Sequence, residues 1–75
     1  MHAVKFDMLS LIVNGTERSF ATAEITLAQV VADLNLQGKR IAVELNGEIV
    51  PKSRYPVTHF RDGDKLEVVV AVGGG

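Results

Sequence analysis

Residues 65–72 read Lys-Leu-Glu-Val-Val-Val-Ala-Val, a strongly β-forming run that decides the fold. From Val68 onward every position is apolar, so both faces of this strand are apolar. Strands of this kind are usually buried between two neighbours, often in parallel pairing. The sequence therefore predicts a last strand at the centre of a sheet, preceded by a turn at Asp62-Gly63-Asp64. The pattern leaves open which face of the strand meets the core.

The N-terminal part of the chain predicts a β-hairpin. Residues 8–13 are rich in Leu, Ile and Val and end at Asn14-Gly15. This dipeptide is the strongest short signal for a type I′ turn, because both central residues of that turn need positive φ. Residues 16–20 should then return antiparallel as a second strand with polar outward positions.

A helix is predicted after the hairpin. Thr26 is a suitable N-cap, and Gln29 three residues later completes a capping box. One apolar stripe follows with helical spacing, formed by Leu27, Val30, Val31 and Leu34. Gly38 is predicted to end the segment. An amphipathic helix of this kind should lie across one face of the sheet.

The middle of the chain predicts two more strands. Residues 41–46 alternate apolar and polar positions and end at Asn46-Gly47, and residues 48–51 form a short continuation. Pro51 limits that continuation to an edge or a terminus, because proline cannot donate to the ladder. Residues 52–57 are expected to be an irregular connection containing a single helical turn.

The order hairpin, helix, strand pair and final strand predicts an α+β fold. Pairing the first and last strands in parallel at the centre, with the helix over one face, produces a β-grasp, the ubiquitin-like architecture. We expect a mixed sheet of four to five strands. The whole chain, residues 1–75, should form a single domain, with residues 1–7 as an extension of uncertain order and 73–75 as a flexible glycine tail.

Composition excludes several classes of function. The 75 residues carry a formal net charge of −1 without a basic stripe, which argues against nucleic acid as a partner. Cysteine is absent, and His2 and His59 lack metal-ligand spacing, so no metal site is expected. No segment has the ~18–20 apolar residues that span a bilayer. A cytoplasmic protein that contacts no membrane is the expectation, and Asp62 and Asp64 are read as turn residues.

The end of the sequence is the part that a fold argument does not explain. Gly73, Gly74 and Gly75 follow directly after a strongly β-forming strand. Glycine loses the most conformational entropy on ordering, so it extends a strand poorly. Three extended residues nevertheless reach roughly 10 Å, enough to carry a terminal carboxylate into another protein's active site. A small domain with such a tail is expected to be a carrier rather than an enzyme.

The chain resembles the ThiS sulfur carriers of the ThiS/MoaD group of ubiquitin-like proteins. The resemblance covers residues 8–75 and rests on four features: the hairpin turn Asn14-Gly15, the block 42–53 (Ala-Val-Glu-Leu-Asn-Gly-Glu-Ile-Val-Pro-Lys-Ser), the turn 62–64 and the end 70–75. Two departures are residues 1–7, which precede the usual first strand, and a third terminal glycine where many relatives have two.

The resemblance implies a role for each residue of the tail. Gly75 would be the sulfur attachment site, adenylated and then converted to a thiocarboxylate, while Gly73 and Gly74 would thread into the partner. The implied partners are a ThiF-like E1-type adenylating enzyme, a cysteine desulfurase or other sulfur donor, and the thiazole synthase ThiG. ATP and Mg²⁺ would be used by the activating partner, with no cofactor bound by this chain. Sulfur would be donated for thiazole formation in thiamine biosynthesis.

Two alternatives stay open at the level of sequence. A MoaD-type carrier would pass sulfur to a molybdopterin precursor through the same C-terminal chemistry. A non-carrier ubiquitin-like binding module would share the fold and have no need of a free glycine end. The identity of the sulfur donor, the residues of the docking face and the oligomeric state are not predicted.

Overall fold

The computed structural model describes residues 8–22 and 24–71. Its elements, in chain order, are strands β1 (Leu9–Val13) and β2 (Thr16–Phe20), helix α1 (Leu27–Asp33), strands β3 (Ile41–Leu45) and β4 (Glu48–Ile49), a 3₁₀ helix (Lys52–Val57) and strand β5 (Lys65–Val70). The predicted extension 1–7, the predicted end of the last strand at Val72 and the glycines 73–75 lie outside the described residues.

In the described part of the chain the strands form one five-stranded mixed sheet in the order β2-β1-β5-β3-β4. The central pair, β1 and β5, is parallel, with Val13 opposite Leu66. The other three pairs are antiparallel. The prediction of a mixed sheet with a central parallel pair and one helix over a face is confirmed, and β4 lies at the edge and ends before Pro51.

Helix α1 covers one face of the sheet and begins with the predicted capping box. The Gln29 amide N–H donates to Thr26 Oγ1 at 3.3 Å, and the Thr26 amide N–H donates to Gln29 Oε1 at 2.7 Å. Two of the unpaired donors at the start of the helix are thereby satisfied. The apolar stripe faces inward and joins a buried cluster made of Leu9, Leu11, Val13, Ile25, Leu27, Val30, Val31, Val43, Tyr55, Phe60, Leu66 and Val68.

The helix ends at Asp33, so the prediction that Gly38 ends it is wrong. Asn35 adopts φ of 61° and takes the left-handed position at the helix end. The Asn35 amide donates to Ala32 O and the Leu36 amide to Val31 O, each at 3.0 Å, which is a Schellman arrangement. Glycine is the commoner residue at this position, but asparagine tolerates it because its short polar side chain can bond locally. Gly38, with φ of 79°, lies instead in the loop before β3.

The segment after β4 is more regular than the sequence predicted. The predicted single turn is a six-residue 3₁₀ helix, which amounts to two turns at three residues per turn. Pro51 precedes its first residue, and Tyr55 is buried against the core. Beyond it, the Thr58 carbonyl accepts from the Leu27 amide at 2.9 Å, which joins this segment to the start of α1.

Candidate functional site

Strand β5 is held from both sides by the two asparagines of the Asn-Gly turns. Asn14 Oδ1 accepts from the Val68 amide at 2.8 Å, and Asn14 Nδ2 donates to the Val68 carbonyl at 3.1 Å. On the other side, Asn46 Oδ1 accepts from the Lys65 amide at 2.9 Å, and the Asn46 amide donates to the Lys65 carbonyl at 2.8 Å. From the sequence, these asparagines are identified only as turn residues. Their bonds to β5 join residues up to 54 positions apart, so no local sequence pattern indicates them.

The C-terminal end of β5 pairs mainly with β3. Val70 lies opposite Ile41, and the Ala71 amide donates to the Arg40 carbonyl at 2.9 Å. Pairing with β1 stops at Leu66 and is extended only by the Asn14 side chain. The backbone is therefore positioned as far as Ala71. The predicted site residues Gly73, Gly74 and Gly75 lie outside the described residues, so their roles stay predictions.

The structure decides which face of the last strand is available to a partner. Leu66 and Val68 are buried under the helix, whereas Val69 is 63% exposed on the opposite face. The strand register places residues of β3, which pairs with β5, and of β4, which pairs with β3, on this same face. We call this surface the open patch; it consists of Ala42, Glu44, Ile49, Glu67 and Val69.

The open patch combines exposed apolar side chains with two carboxylates of like charge. Ile49 is 76% exposed, and Glu44 lies directly opposite Glu67 in the antiparallel register. Like charges directly opposite one another destabilise a sheet. Exposed apolar area next to a locally negative potential fits a partner surface that is apolar and basic. The arrangement is suited to docking beside the exit of β5.

The two aspartates of the predicted turn have structural partners. Asp62 Oδ1 accepts from the Ser10 amide at 2.7 Å. Asp64 Oδ2 accepts from the Arg61 amide at 2.8 Å, and its Oδ1 accepts from Asn46 Nδ2 at 3.0 Å. These bonds close the loop that leads into β5, which confirms their interpretation as turn residues.

Within residues 8–22 and 24–71, no group of three or more His, Cys, Asp or Glu side chains is placed to hold a metal ion. His59 is exposed and forms an isolated bridge with Thr26. Burial raises the pKa of the Tyr55 hydroxyl above its ordinary value, so the phenol is neutral at physiological pH. In that same part of the chain, neither helix has the length and apolar character that crossing a bilayer requires.

A ubiquitin-like β-grasp domain is defined by three features of the described residues: the strand order, the central parallel pair and the helix that crosses the sheet. Its last strand leads toward a glycine run at residues 73–75. The family model for ThiS matches residues 11–75, most of the sequence. The chain belongs to the ThiS family.

Individual relatives agree with this membership. A 67-residue stretch is 45% identical to part of a thiazole synthase from Paramagnetospirillum magneticum; the match covers 89% of this chain and 20% of that protein. The chain thus spans about a fifth of that relative's length. It is also 35% identical over 65 residues to the sulfur carrier protein ThiS of Bacillus subtilis, covering 87% of this chain and 98% of that one.

A solved structure has the same fold. The crystal structure of the thiamine biosynthesis protein ThiS from Geobacter metallireducens aligns with a TM-score of 0.76 at 29% identity. The alignment covers 89% of this chain and all of that one. The β-grasp prediction is therefore confirmed by a relative as well as by the topology of the chain itself.

Proposed function

We propose that this chain is a sulfur carrier of thiamine biosynthesis, with Gly75 as the site of sulfur attachment. The observation that carries the proposal is the match to the ThiS family, which extends through the glycine run to residue 75. The Bacillus subtilis relative, named a sulfur carrier protein, supports the same role. The way β5 is held as far as Ala71 suits a domain that must present the segment after it.

The proposed chemistry solves a problem of reactivity. A C-terminal carboxylate has a pKa near ~3.5, is ionised at neutral pH and is therefore a poor electrophile. Attack of its oxygen on the α-phosphorus of ATP releases pyrophosphate and leaves an acyl adenylate, from which AMP departs readily. A persulfide sulfur then displaces AMP, and a second thiol cleaves the S–S bond to leave the thiocarboxylate. The donor sulfur in this scheme comes from a cysteine desulfurase or an equivalent protein.

In this proposal the chain positions a reacting group and leaves the catalysis to its partners. An E1-like activating enzyme of the ThiF type binds ATP and Mg²⁺ and stabilises the developing charge. The carrier contributes effective concentration by delivering its carboxylate in a fixed orientation. Thiazole synthase is the proposed consumer of the sulfur, and the similarity to a thiazole synthase chain supports this assignment. Dependence on ATP supports a cytoplasmic location.

The open patch is the proposed docking surface for the activating enzyme. It lies on the face of β5 that the helix leaves uncovered, close to the last described residue, Ala71. Its carboxylates, Glu44 and Glu67, would meet basic side chains of the partner. Complementary charge of this kind raises the association rate and orients the encounter.

The proposal is tested by the intact mass of the protein after incubation with a ThiF-like enzyme, a cysteine desulfurase, cysteine, ATP and Mg²⁺. We expect a mass increase equal to sulfur replacing one oxygen, located in the C-terminal peptide. A chain extended by one residue beyond Gly75 is the control and should stay unmodified. An unchanged mass with partners that load their own carrier would refute the proposal and favour a binding module.

A further inference from the structure

An apolar groove lies on the helix side of the sheet, away from the open patch. Its volume is about 390 Å³, and it runs between α1, the loop 34–40, the start of β3 and the 3₁₀ helix. The floor is formed by Ala28, Val31, Leu36, Ile41, Tyr55 and Pro56. Helix α1 ends at Asp33, before the loop that lines the groove, and Ile41 at the start of β3 is half-buried there.

The walls of the groove carry three cations. Lys39 and Arg40 come from the loop before β3, and Lys52 comes from the first turn of the 3₁₀ helix. Among the described residues, those that line the groove include no carboxylate, although the chain as a whole has a formal net charge of −1. Positive charge is therefore concentrated around an apolar floor. The open patch has the opposite charge, so the two surfaces suit partner surfaces of different chemistry.

The groove adjoins the point at which β5 ends. The Arg40 carbonyl accepts the Ala71 amide at 2.9 Å, and Ile41 lies opposite Val70 in the sheet. A protein that takes up the residues after Ala71 would therefore come within reach of Lys39 and Arg40. The groove is therefore close to the end of β5, although it lies on the opposite side of the sheet from the open patch.

We propose that the groove binds an acidic amphipathic segment of the thiazole synthase that consumes the sulfur. An apolar side chain of that segment would pack on Leu36 and Tyr55, and flanking carboxylates would pair with Lys39, Arg40 and Lys52. A polypeptide segment is favoured over a small anion because the groove combines apolar residues with cations from two different elements, the loop before β3 and the 3₁₀ helix. The inference rests on the proposed function, and a thiazole synthase that contains a region 45% identical to this chain supports the choice of partner.

The test is the affinity of the full chain for thiazole synthase from the same organism, measured by isothermal titration calorimetry. The variants are Lys39→Glu, Arg40→Glu, Lys52→Glu and their triple combination. Each single reversal replaces attraction by repulsion and should weaken binding about three- to tenfold, and the triple variant about 30-fold or more. The triple variant should also lose most of the dependence of affinity on ionic strength.

A matched control variant distinguishes the effect of charge at the groove from the effect of the overall net charge. The triple variant Arg18→Glu, Arg61→Glu and Lys65→Glu has the same net charge but alters positions outside the groove. We expect it to bind within about threefold of the natural chain. A separate variant, Ala28→Leu, adds bulk to the groove without charge on a helix that tolerates leucine well, and it should weaken binding.

The outcomes distinguish this inference from the proposed function. Equal affinities for the groove triple variant and the control triple variant would overturn the groove proposal, while normal sulfur loading of both would leave the carrier function intact. If the natural chain is not loaded at all, the carrier function fails and the groove proposal fails with it. Saturable NMR shifts of the residue 39–41 amides with millimolar inorganic phosphate, with the affinity for thiazole synthase unchanged by that phosphate, would make the groove a small-anion site and overturn the proposal.

Discussion

The side-chain amide of Asn14 pairs with both backbone groups of Val68, in the place where a further residue of β1 would pair. Its Oδ1 accepts the Val68 N–H at 2.8 Å and its Nδ2 donates to the Val68 carbonyl at 3.1 Å. The Asn14 backbone N–H donates to the Leu66 carbonyl at 2.9 Å, and the backbone, with φ of 50°, then turns away into β2, so only the side chain reaches Val68. The amide thereby prolongs the support of β5 toward Ala71.

Replacing Asn14 by glycine should distinguish its role in the hairpin turn from its side-chain bonds to Val68. Glycine accepts positive φ, so Asn14→Gly keeps the hairpin turn while removing both bonds to Val68. We expect the free energy of unfolding to fall by about 1–3 kcal/mol, measured by urea denaturation, with faster hydrogen exchange at the Val68 amide. Asn35→Gly, at a left-handed asparagine remote from β5, is the control for the backbone effect. Equal losses in the two variants would contradict an anchoring role.

The like-charged pair on the open patch predicts a conflict between stability and docking. Glu67→Gln removes the repulsion from Glu44 across the strands and should raise the free energy of unfolding by about 0.2–1 kcal/mol. The same change should raise the KM of the activating enzyme for the carrier severalfold with little change in kcat. Glu24→Gln, before the helix, serves as the control. An unchanged KM for Glu67→Gln would exclude the open patch as the docking surface.

Because Tyr55 is buried, we expect the natural chain and a Tyr55→Phe variant to differ in their stability at alkaline pH. Because burial raises the pKa of its hydroxyl, the unfolded chain loses this proton at a lower pH than the folded chain. The stability that the neutral phenol confers is complete below about pH 10 and is lost as pH rises through the folded pKa. Tyr55→Phe lacks this proton, so its denaturation midpoint should fall less than that of the natural chain above pH 10. Parallel pH profiles would show that Tyr55 is not perturbed.

The tail is predicted to require small residues. Gly74→Val adds a branched side chain that should not pass through a narrow channel in the activating enzyme, so sulfur loading should fall at least about tenfold. The thermal midpoint should stay the same, because the substitution lies beyond the described sheet. Gly74→Ala should give an intermediate rate. Normal loading of the valine variant would refute the threading argument.

Most of the architecture could be predicted because the signals are local. The Asn14-Gly15 turn and the Thr26–Gln29 capping box each depend on bonds within about four residues, and both are present as expected. The order of the elements, with a last strand that is apolar from Val68 onward, was sufficient to predict the central parallel pair. The end of the helix was missed because Asn35, Ala32 and Leu36 form a cap in which asparagine replaces the glycine that the sequence rule favours.

The sequence by itself determined where the turns and strands form, the capped start of the helix, and the glycine run that identifies the family. Only the tertiary structure decided that Val68 is buried and Val69 exposed, that Glu44 faces Glu67, and that Asn14 supports the last strand. Nor could local sequence show that Lys39, Arg40 and Lys52 line one groove, because the fold must first bring the loop before β3 and the 3₁₀ helix together. The physical reason is that the run from Val68 onward is apolar at every position, so the polarity of that run does not distinguish its two faces until a helix covers one of them.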